Sequence, residues 1–150
     1  MTGASRQGGC LCGAVRYRLT ETPEGYGACH CGMCRRWTGA LAFAIDVAPG
    51  GIAWEGAENI RTYASSDWAE RGFCGVCGAN LFWRMTAPGP MQGMTAVMAG
   101  TLDSLEGLEM TQEIYIDAKP SGHAFAGDHQ RLTEAETLAL YGVTDQGETS

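Results

Sequence analysis

The amino-acid sequence predicts a single, mainly β domain with one short helix near its carboxyl end. Three observations support this fold class. Glycine accounts for 22 of the 150 residues, roughly twice its usual share of about 7%, which favours many turns between short strands. Several segments alternate apolar and polar side chains, as half-buried strands do. One segment near the carboxyl end carries the capping signals of a helix.

The strand predictions follow from segments whose side chains alternate along the chain. In residues 13–20, Val15, Tyr17 and Leu19 would face the core while the polar residues between them face solvent. Residues 41–47 alternate large apolar side chains with small ones. The predicted strands cover residues 13–20, 41–47, 59–65, 68–73, 80–85, 94–100 and 113–118.

The helix is predicted to begin after Thr133 and to end before Gly142. Thr133 and Glu136 match the T-x-x-E capping box, and glycine is a common residue just past a helix. No stretch approaches the ~18 consecutive apolar residues of a membrane-spanning helix. The first ten residues lack the apolar core of a secretory signal. We therefore expect a cytoplasmic protein with no membrane partner.

The formal net charge of −7 argues against one class of function. Proteins that bind nucleic acids present clustered basic side chains to the phosphates, so we expect no nucleic-acid partner here. All of the ten basic residues except Lys119 are arginines. The planar guanidinium is well suited to binding carboxylates or phosphates.

Seven cysteines carry the strongest functional signal. Without a secretory signal, they indicate thiols or metal ligands rather than a disulfide framework. A C-x-C pair and a C-x-x-C pair from distant parts of the chain can together hold one zinc ion in a closed tetrahedral site. The three clusters are Cys10 and Cys12; Cys29, Cys31 and Cys34; and Cys74 and Cys77.

The middle cluster has three cysteines, which is the ligand number of catalytic zinc sites that keep one position for water or substrate. We expect it to hold a second zinc ion suited to thiol chemistry. Three alternatives stay open. His30 or a carboxylate could close the site as a fourth ligand, and Cys31 and Cys34 could pair with the third cluster across 39 residues. Cys31 and Cys34 could also form a redox pair, although no βαβ pattern surrounds them.

Three basic residues are candidates for binding a substrate carboxylate. Arg35 and Arg36 directly follow the middle cluster, and Lys119 follows the last predicted strand. Beside a metal that binds thiolate, they could receive an anionic thiol such as a small peptide. The alternative for the two arginines is that they offset the charge of the thiolates or face solvent.

Five sequence motifs occur in an order that is typical of one family. They are GGCLCGAVRY, CHCGMCRRWTGA, FCGVCGANLFW, GTLD and IYIDAKP. Over about residues 8–120, the chain resembles the glutathione-dependent formaldehyde-activating enzyme (GFA) family, which also includes centromere protein V (CENP-V)-like members. The resemblance implies a mainly β, Mss4-like (β-tent) zinc-binding fold with one short C-terminal helix. It also implies a single zinc domain over residues 1–150, with a core at about 8–120 and a C-terminal extension at 121–150.

The resemblance also implies ligand sets and a reaction. Carried over by motif, the first and third clusters bind a structural zinc, and the middle cluster binds a catalytic zinc. The family reaction joins formaldehyde and glutathione into S-hydroxymethylglutathione, which is carbon–sulfur lyase chemistry, so a glutathione-like thiol is the expected partner. The alternative is a non-catalytic Mss4-like zinc module that binds a protein partner or a small ligand. With either function, the chain could form a homo-oligomer. Many family members carry a tryptophan after the K-P element, where this chain has His123 and Phe125.

Overall fold

The computed structural model describes residues 6–142, which form a mainly β fold with two short helices. The predicted domain limits, 1–150, extend beyond these residues at both ends. The strands are β1 (Gln7–Gly9), β2 (Arg16–Leu19), β3 (Gly25–Cys29), β4 (Ala42–Val47), β5 (Ile52–Glu55), β6 (Ile60–Ser66), β7 (Ala69–Cys74), β8 (Asn80–Met85), β9 (Thr95–Met98), β10 (Glu109–Ile114) and β11 (Gln130–Arg131). The helices are α1 (Gly32–Thr38) and α2 (Glu134–Tyr141).

The strands form two sheets. The smaller one has the order β1-β2-β5, and the larger one has the order β11-β10-β3-β4-β9-β8-β7-β6. Most neighbouring strands are antiparallel, but β10 runs parallel to both β3 and β11. The parallel pairing brings the last part of the chain beside the strand that ends at Cys29.

The two sheets pack through an apolar core that the alternation predicted. Tyr17 and Leu19 from β2 contact Ile45 from β4 and Val97 from β9, and all four are almost fully buried. Full burial of a side chain of this size stabilises the fold by about 1.5–3 kcal/mol. A second apolar cluster, which includes Val15 and Leu81, packs around the first and third cysteine clusters.

The C-terminal helix is confirmed in detail. The Thr133 hydroxyl accepts a hydrogen bond from the Glu136 amide, the Glu136 carboxylate accepts one from the Thr133 amide, and Gly142 ends the helix in the left-handed conformation. Among residues 6–142, no helix is long and apolar enough to cross a membrane.

The structure departs from the predicted secondary structure in several places. Strands β1, β3, β5 and β11 were not predicted. The strand predicted at 113–118 lies earlier, at Glu109–Ile114, because Tyr115 adopts a left-handed conformation (φ 56°) and a 3-10 turn follows at Ile116–Ala118. Helix α1, directly after the middle cysteine cluster, was not predicted. It has seven residues, too few to show helical periodicity in the sequence, and it ends at Gly39 with φ 74°.

Candidate metal centres and their cavity

The first and third cysteine clusters meet in what we call the four-thiol cluster. Its sulfur atoms all lie within 4.8 Å of one another. The Sγ of Cys12 is 3.7 Å from that of Cys10 and 3.9 Å from that of Cys74. Tetrahedral zinc with bonds of about 2.3 Å separates its sulfurs by about 3.8 Å. The donor set and its spacing therefore fit a zinc ion.

Backbone amides point at the sulfurs of this cluster. The Val15 amide donates to Cys10 Sγ at 3.3 Å, and the amides of Val76 and Cys77 donate to Cys74 Sγ at 3.3 and 3.4 Å. The turn needs glycine just after Cys77, because Gly78 has φ 82°. These N–H donors would stabilise the thiolates that bind a metal.

The middle cysteines form a second group, the three-thiol cluster, at the junction of β3 and α1. The sulfurs of Cys29, Cys31 and Cys34 lie within 4.8 Å of one another, and among residues 6–142 no carboxylate or imidazole joins the group. Cys31 caps α1, since its sulfur accepts a hydrogen bond from the Cys34 amide at 3.2 Å. Three thiols at this spacing also fit a zinc ion.

The histidine between two of these cysteines faces away from them. In extended chain, neighbouring side chains point in opposite directions, so Cys29 and Cys31 face one way and His30 the other. His30 Nε2 lies 2.7 Å from Glu113 Oε1, and both side chains are fully buried. The geometry therefore favours His30 as a supporting residue over His30 as a fourth ligand.

An arginine that the sequence analysis did not single out lies against the three-thiol cluster. Arg71, on β7, is only 2% exposed, and its Nη1 lies 3.5 Å from Cys34 Sγ. Its guanidinium also stacks over Trp37, 5.4 Å from the ring centroid. Hydrogen bonds from Cys29 and Cys31, and then the charge of Arg71, hold the pKa of the Cys34 thiol well below its usual range. The buried cation of Arg71 therefore favours negative charge on this cluster.

The three thiols and Arg71 line a cavity of about 610 Å³, a size common for small-molecule sites. The cavity exists because the strands beside it carry small side chains, with Ala42 and Ala44 on β4 and Ala96 on β9. Trp68 and Trp83 form part of its wall. The alternation of large and small residues in 41–47 was thus the sequence signal for this cavity, although it was interpreted only as a strand.

Asp46 and Tyr141 also line the cavity, and sequence reasoning singled out neither of them. Asp46 lies on β4, and Tyr141 lies on α2 with its ring stacked on Trp83 at 5.9 Å between centroids. Burial, together with the negative charges of Asp46, Cys29 and Cys34, raises the pKa of Tyr141 well above its usual range. The Tyr141 hydroxyl therefore stays protonated at neutral pH.

The predicted substrate-binding residues lie outside the lining of this cavity. Arg35 and Arg36 are exposed on α1. Lys119 donates hydrogen bonds to the backbone carbonyls of Pro120 and His123, which orders the loop after the 3-10 turn. The substrate-binding roles of these three basic residues stay predictions.

The chain is similar to a protein family and to individual known proteins. The model of the glutathione-dependent formaldehyde-activating enzyme family matches residues 5–118. A protein of Schizosaccharomyces pombe named as an uncharacterized lyase is 30% identical over 135 residues, which cover 88% of this chain and 93% of the relative. A protein of Halomonas elongata, provisionally named a glutathione-dependent formaldehyde-activating enzyme, is 31% identical over 84 residues, which cover 51% of this chain and 54% of that protein.

The fold has a counterpart among solved structures. A Rhodobacter sphaeroides protein matches with a TM-score of 0.51 and 24% identity, covering 70% of this chain and 99% of its own. This match shows that the two proteins share a fold. The family match covers about three quarters of the chain and includes all seven cysteines. The chain therefore belongs to the glutathione-dependent formaldehyde-activating enzyme family.

Proposed function

We propose that this protein is a zinc-dependent carbon–sulfur lyase that acts on a glutathione-type thiol adduct, such as S-hydroxymethylglutathione formed from formaldehyde and glutathione. The observation that carries the proposal is the three-thiol cluster in the wall of a cavity of about 610 Å³, beside the buried cation of Arg71. The family and a relative named as a lyase support an enzyme of this kind.

Two zinc ions per chain belong to the proposal. The four-thiol cluster, Cys10, Cys12, Cys74 and Cys77, would hold a structural zinc, and the three-thiol cluster would hold a catalytic one. Bound there, zinc would supply a positive charge that orients a substrate sulfur or oxygen beside its reaction partner. Thiolate ligands suit zinc because sulfur is a soft donor.

The proposed reaction is an addition whose atoms balance without a further reagent. The sulfur electron pair of a thiolate forms a C–S bond with the carbon of formaldehyde, and the π pair of the C=O bond moves onto oxygen. That oxygen takes up the proton that the thiol has lost, and the reverse direction breaks the same C–S bond. Arg71 would stabilise negative charge on sulfur, and the protonated Tyr141 would donate a hydrogen bond to the oxygen.

The environment of the site suits such chemistry. The two tryptophans of the cavity wall would shield the reacting groups from part of the surrounding water. Reduced thiols persist in the cytoplasm, which is the compartment we propose. Three further points also stay proposals. One is the capture of a substrate carboxylate by Arg35, Arg36 or Lys119. The others are assembly into a homo-oligomer and the division of the chain into a core at 8–120 and an extension at 121–150.

The deciding variant is Cys31→Ser, with the exposed Ala40→Ser as the matched control. Because formaldehyde and thiols also react unaided, activity is measured as the catalysed exchange between free glutathione and its adduct at equilibrium, by NMR. We expect Cys31→Ser to bind about one zinc ion fewer and to lose the catalysed exchange while keeping its fold. The control should match the unmodified protein. Full exchange activity in Cys31→Ser would refute the catalytic assignment.

A non-catalytic zinc module for a protein partner is the second candidate function. It is favoured by Leu11 and Val76, which are 89% and 66% exposed at the tips of the two loops that form the four-thiol cluster. Exposed apolar side chains that lie together on a surface mark contact sites for partners, and both of these belong to loops that meet at one cluster. Saturable binding of glutathione to the zinc-loaded protein would favour the lyase. Two bound zinc ions without thiol binding would favour the module.

A further inference from the structure

A buried charged group lies behind the three-thiol cluster, on the side away from the cavity. Glu113, on β10, is 1% exposed. Its Oε1 accepts a hydrogen bond from His30 Nε2 at 2.7 Å, and its Oε2 accepts one from His129 Nε2 at 2.6 Å. The Nε of Arg131 lies 3.2 Å from the same Oε2. Burial alone would raise the pKa of Glu113, but the hydrogen bonds from His129 and His30 outweigh it and hold the pKa below its usual range.

The contact with His30 reaches the cysteines directly along the backbone. His30 lies between Cys29 and Cys31, so the direction of its ring fixes the opposite direction for the two thiols. Among the described residues, the Nδ1 atom of His30 has no hydrogen-bond partner. The carboxylate of Glu113 is therefore the polar group that orients the ring.

Glu113 is held in turn by the C-terminal part of the chain. His129 and Arg131 both lie beyond residue 118, where the match to the family model ends. Strand β11, which carries Arg131, pairs with β10 in parallel, and Glu113 lies directly opposite Arg131 in that pairing. The carboxylate thus connects the C-terminal segment to the loop that carries the thiols.

We propose that Glu113 is a positioning residue for the three-thiol cluster. It holds His30 so that the thiols on either side face Arg71 and the cavity, and His129 and Arg131 anchor it in place. The inference depends on the proposed function in one respect, because it takes the three thiols to be zinc ligands. Substitutions in supporting hydrogen bonds around metal sites typically lower metal affinity or activity by about 10–100-fold.

The test compares Glu113→Gln with the unmodified protein, both as full-length chains loaded with zinc. The new amide has one oxygen in place of two and carries no charge. One imidazole therefore loses its acceptor or must move its proton from Nε2 to Nδ1, and the ion pair with Arg131 is lost in either case. Glu70→Gln is the matched control, because Glu70 accepts two hydrogen bonds from Arg84 on the same sheet and belongs to neither thiol cluster. Zinc release is followed with a chromophoric chelator, and the phase that is missing in Cys31→Ser identifies the three-thiol site.

We expect Glu113→Gln to weaken zinc binding at the three-thiol site by about tenfold or more and to leave the other release phase unchanged. With cobalt(II) in place of zinc, the visible bands of the three-thiol site should shift in Glu113→Gln and not in Glu70→Gln. If Glu113 had a purely structural role, Glu113→Gln would instead lower the melting temperature and weaken zinc binding equally at both sites. Equally weakened zinc binding at both sites, or unchanged zinc binding at both, would overturn the proposal.

A second variant keeps the test decisive if Glu113→Gln does not fold. His129→Gln leaves the contact with His30 in place and weakens only the outer anchor of Glu113, so we expect a smaller change in the same direction. No change at the three-thiol site in this variant would also overturn the inference. An unmodified protein that binds only one zinc ion would be a different result, because it would refute the proposed function itself.

Discussion

The two cysteine clusters differ in how they connect the chain. The four-thiol cluster joins segments far apart in sequence, with Cys12 and Cys74 separated by 62 positions, and it is packed by apolar residues such as Val15 and Leu81. The three-thiol cluster comes from one short segment and faces Arg71 and the cavity. A metal at the first cluster closes long loops and so stabilises the fold. A metal at the second closes only a short loop and so adds little to stability. Its expected role is in the chemistry of the cavity.

The largest expected effect is on folding, and it comes from Cys74→Ser. Structural zinc sites contribute apparent free energies of about 10–16 kcal/mol in small zinc-finger peptides. A typical domain has a net stability of about 5–15 kcal/mol. We therefore expect Cys74→Ser to be largely unfolded at 25 °C by circular dichroism, whereas Cys31→Ser keeps its fold.

This contrast between the two serine variants is the strongest test of the comparison. Both changes replace one sulfur with one oxygen in a buried cysteine, so the difference between them reports the site and not the substitution. A Cys74→Ser protein that melts like the unmodified one would contradict the structural role of the four-thiol cluster.

Partial removal of metal should separate the sites without any mutation. A mild chelator is expected to take the first zinc ion from the three-thiol cluster, because that site has one protein ligand fewer. At one remaining zinc ion per chain, the catalysed exchange should be lost while the circular dichroism spectrum is unchanged. Loss of the fold together with the first ion would show that the two clusters have the opposite roles.

Two arginines on neighbouring strands allow a sharper test of the cavity. Arg71 and Arg84 each lie over an aromatic ring, those of Trp37 and Phe82, but only Arg71 contacts a thiol of the cluster. Removal of one preorganised donor from an active site costs roughly a hundredfold or more in rate. We expect Arg71→Met to lower the catalysed exchange by about that factor.

The matched variant, Arg84→Met, should retain nearly full activity, because the ion pair between Arg84 and Glu70 is partly exposed and neither residue belongs to a thiol cluster. Both proteins should bind two zinc ions, as measured by elemental analysis. Equal activity of the two variants would remove Arg71 from the proposed mechanism.

Much of the fold could be predicted from local patterns. The alternation of Tyr17 and Leu19 and the capping box at Thr133 each depend on neighbours within a few residues, and the structure confirms the strand and the helix that they predict. Strand β3 was missed because its sequence, GYGAC, is rich in glycine and has no apolar alternation. Helix α1 was missed because it is short and is capped by the cysteine Cys31.

The candidate site could be predicted only where its parts are local. Each cysteine motif follows from local spacing, whereas spacing alone left open which motifs pair. Arg71 reaches Cys34 across 37 positions and Glu113 reaches His30 across 83. Contacts at such separations are set by the order of strands in the sheet, which no short sequence window contains. Arg35 and Arg36 drew attention because they follow the thiols in sequence, yet an α-helix turns both of them away from the cavity.

The smallest expected effects come from replacing two tyrosines with phenylalanine, one in the core between the sheets and one in the cavity. Tyr17 lies in the core between the sheets, where its hydroxyl and Thr101 Oγ1 are hydrogen-bonded at 2.6 Å, and Tyr141 lies in the cavity. A hydrogen bond of this kind is worth about 1 kcal/mol. We expect Tyr17→Phe to lower the melting temperature by about 2–4 °C with unchanged activity. Tyr141→Phe should instead lower the exchange rate by about fivefold.

The tyrosine contrast also has a pH signature. Burial raises the pKa of Tyr17 to about 12 in the folded protein, against about 10 in an unfolded chain. Folding therefore favours the protonated form, so this contribution to stability is complete below about pH 10 and is lost as the pH rises towards about 12. Between these pH values, the free energy of unfolding should therefore fall less steeply with rising pH in Tyr17→Phe than in the unmodified protein. Identical slopes would show that Tyr17 ionises in the folded state as easily as in the unfolded chain.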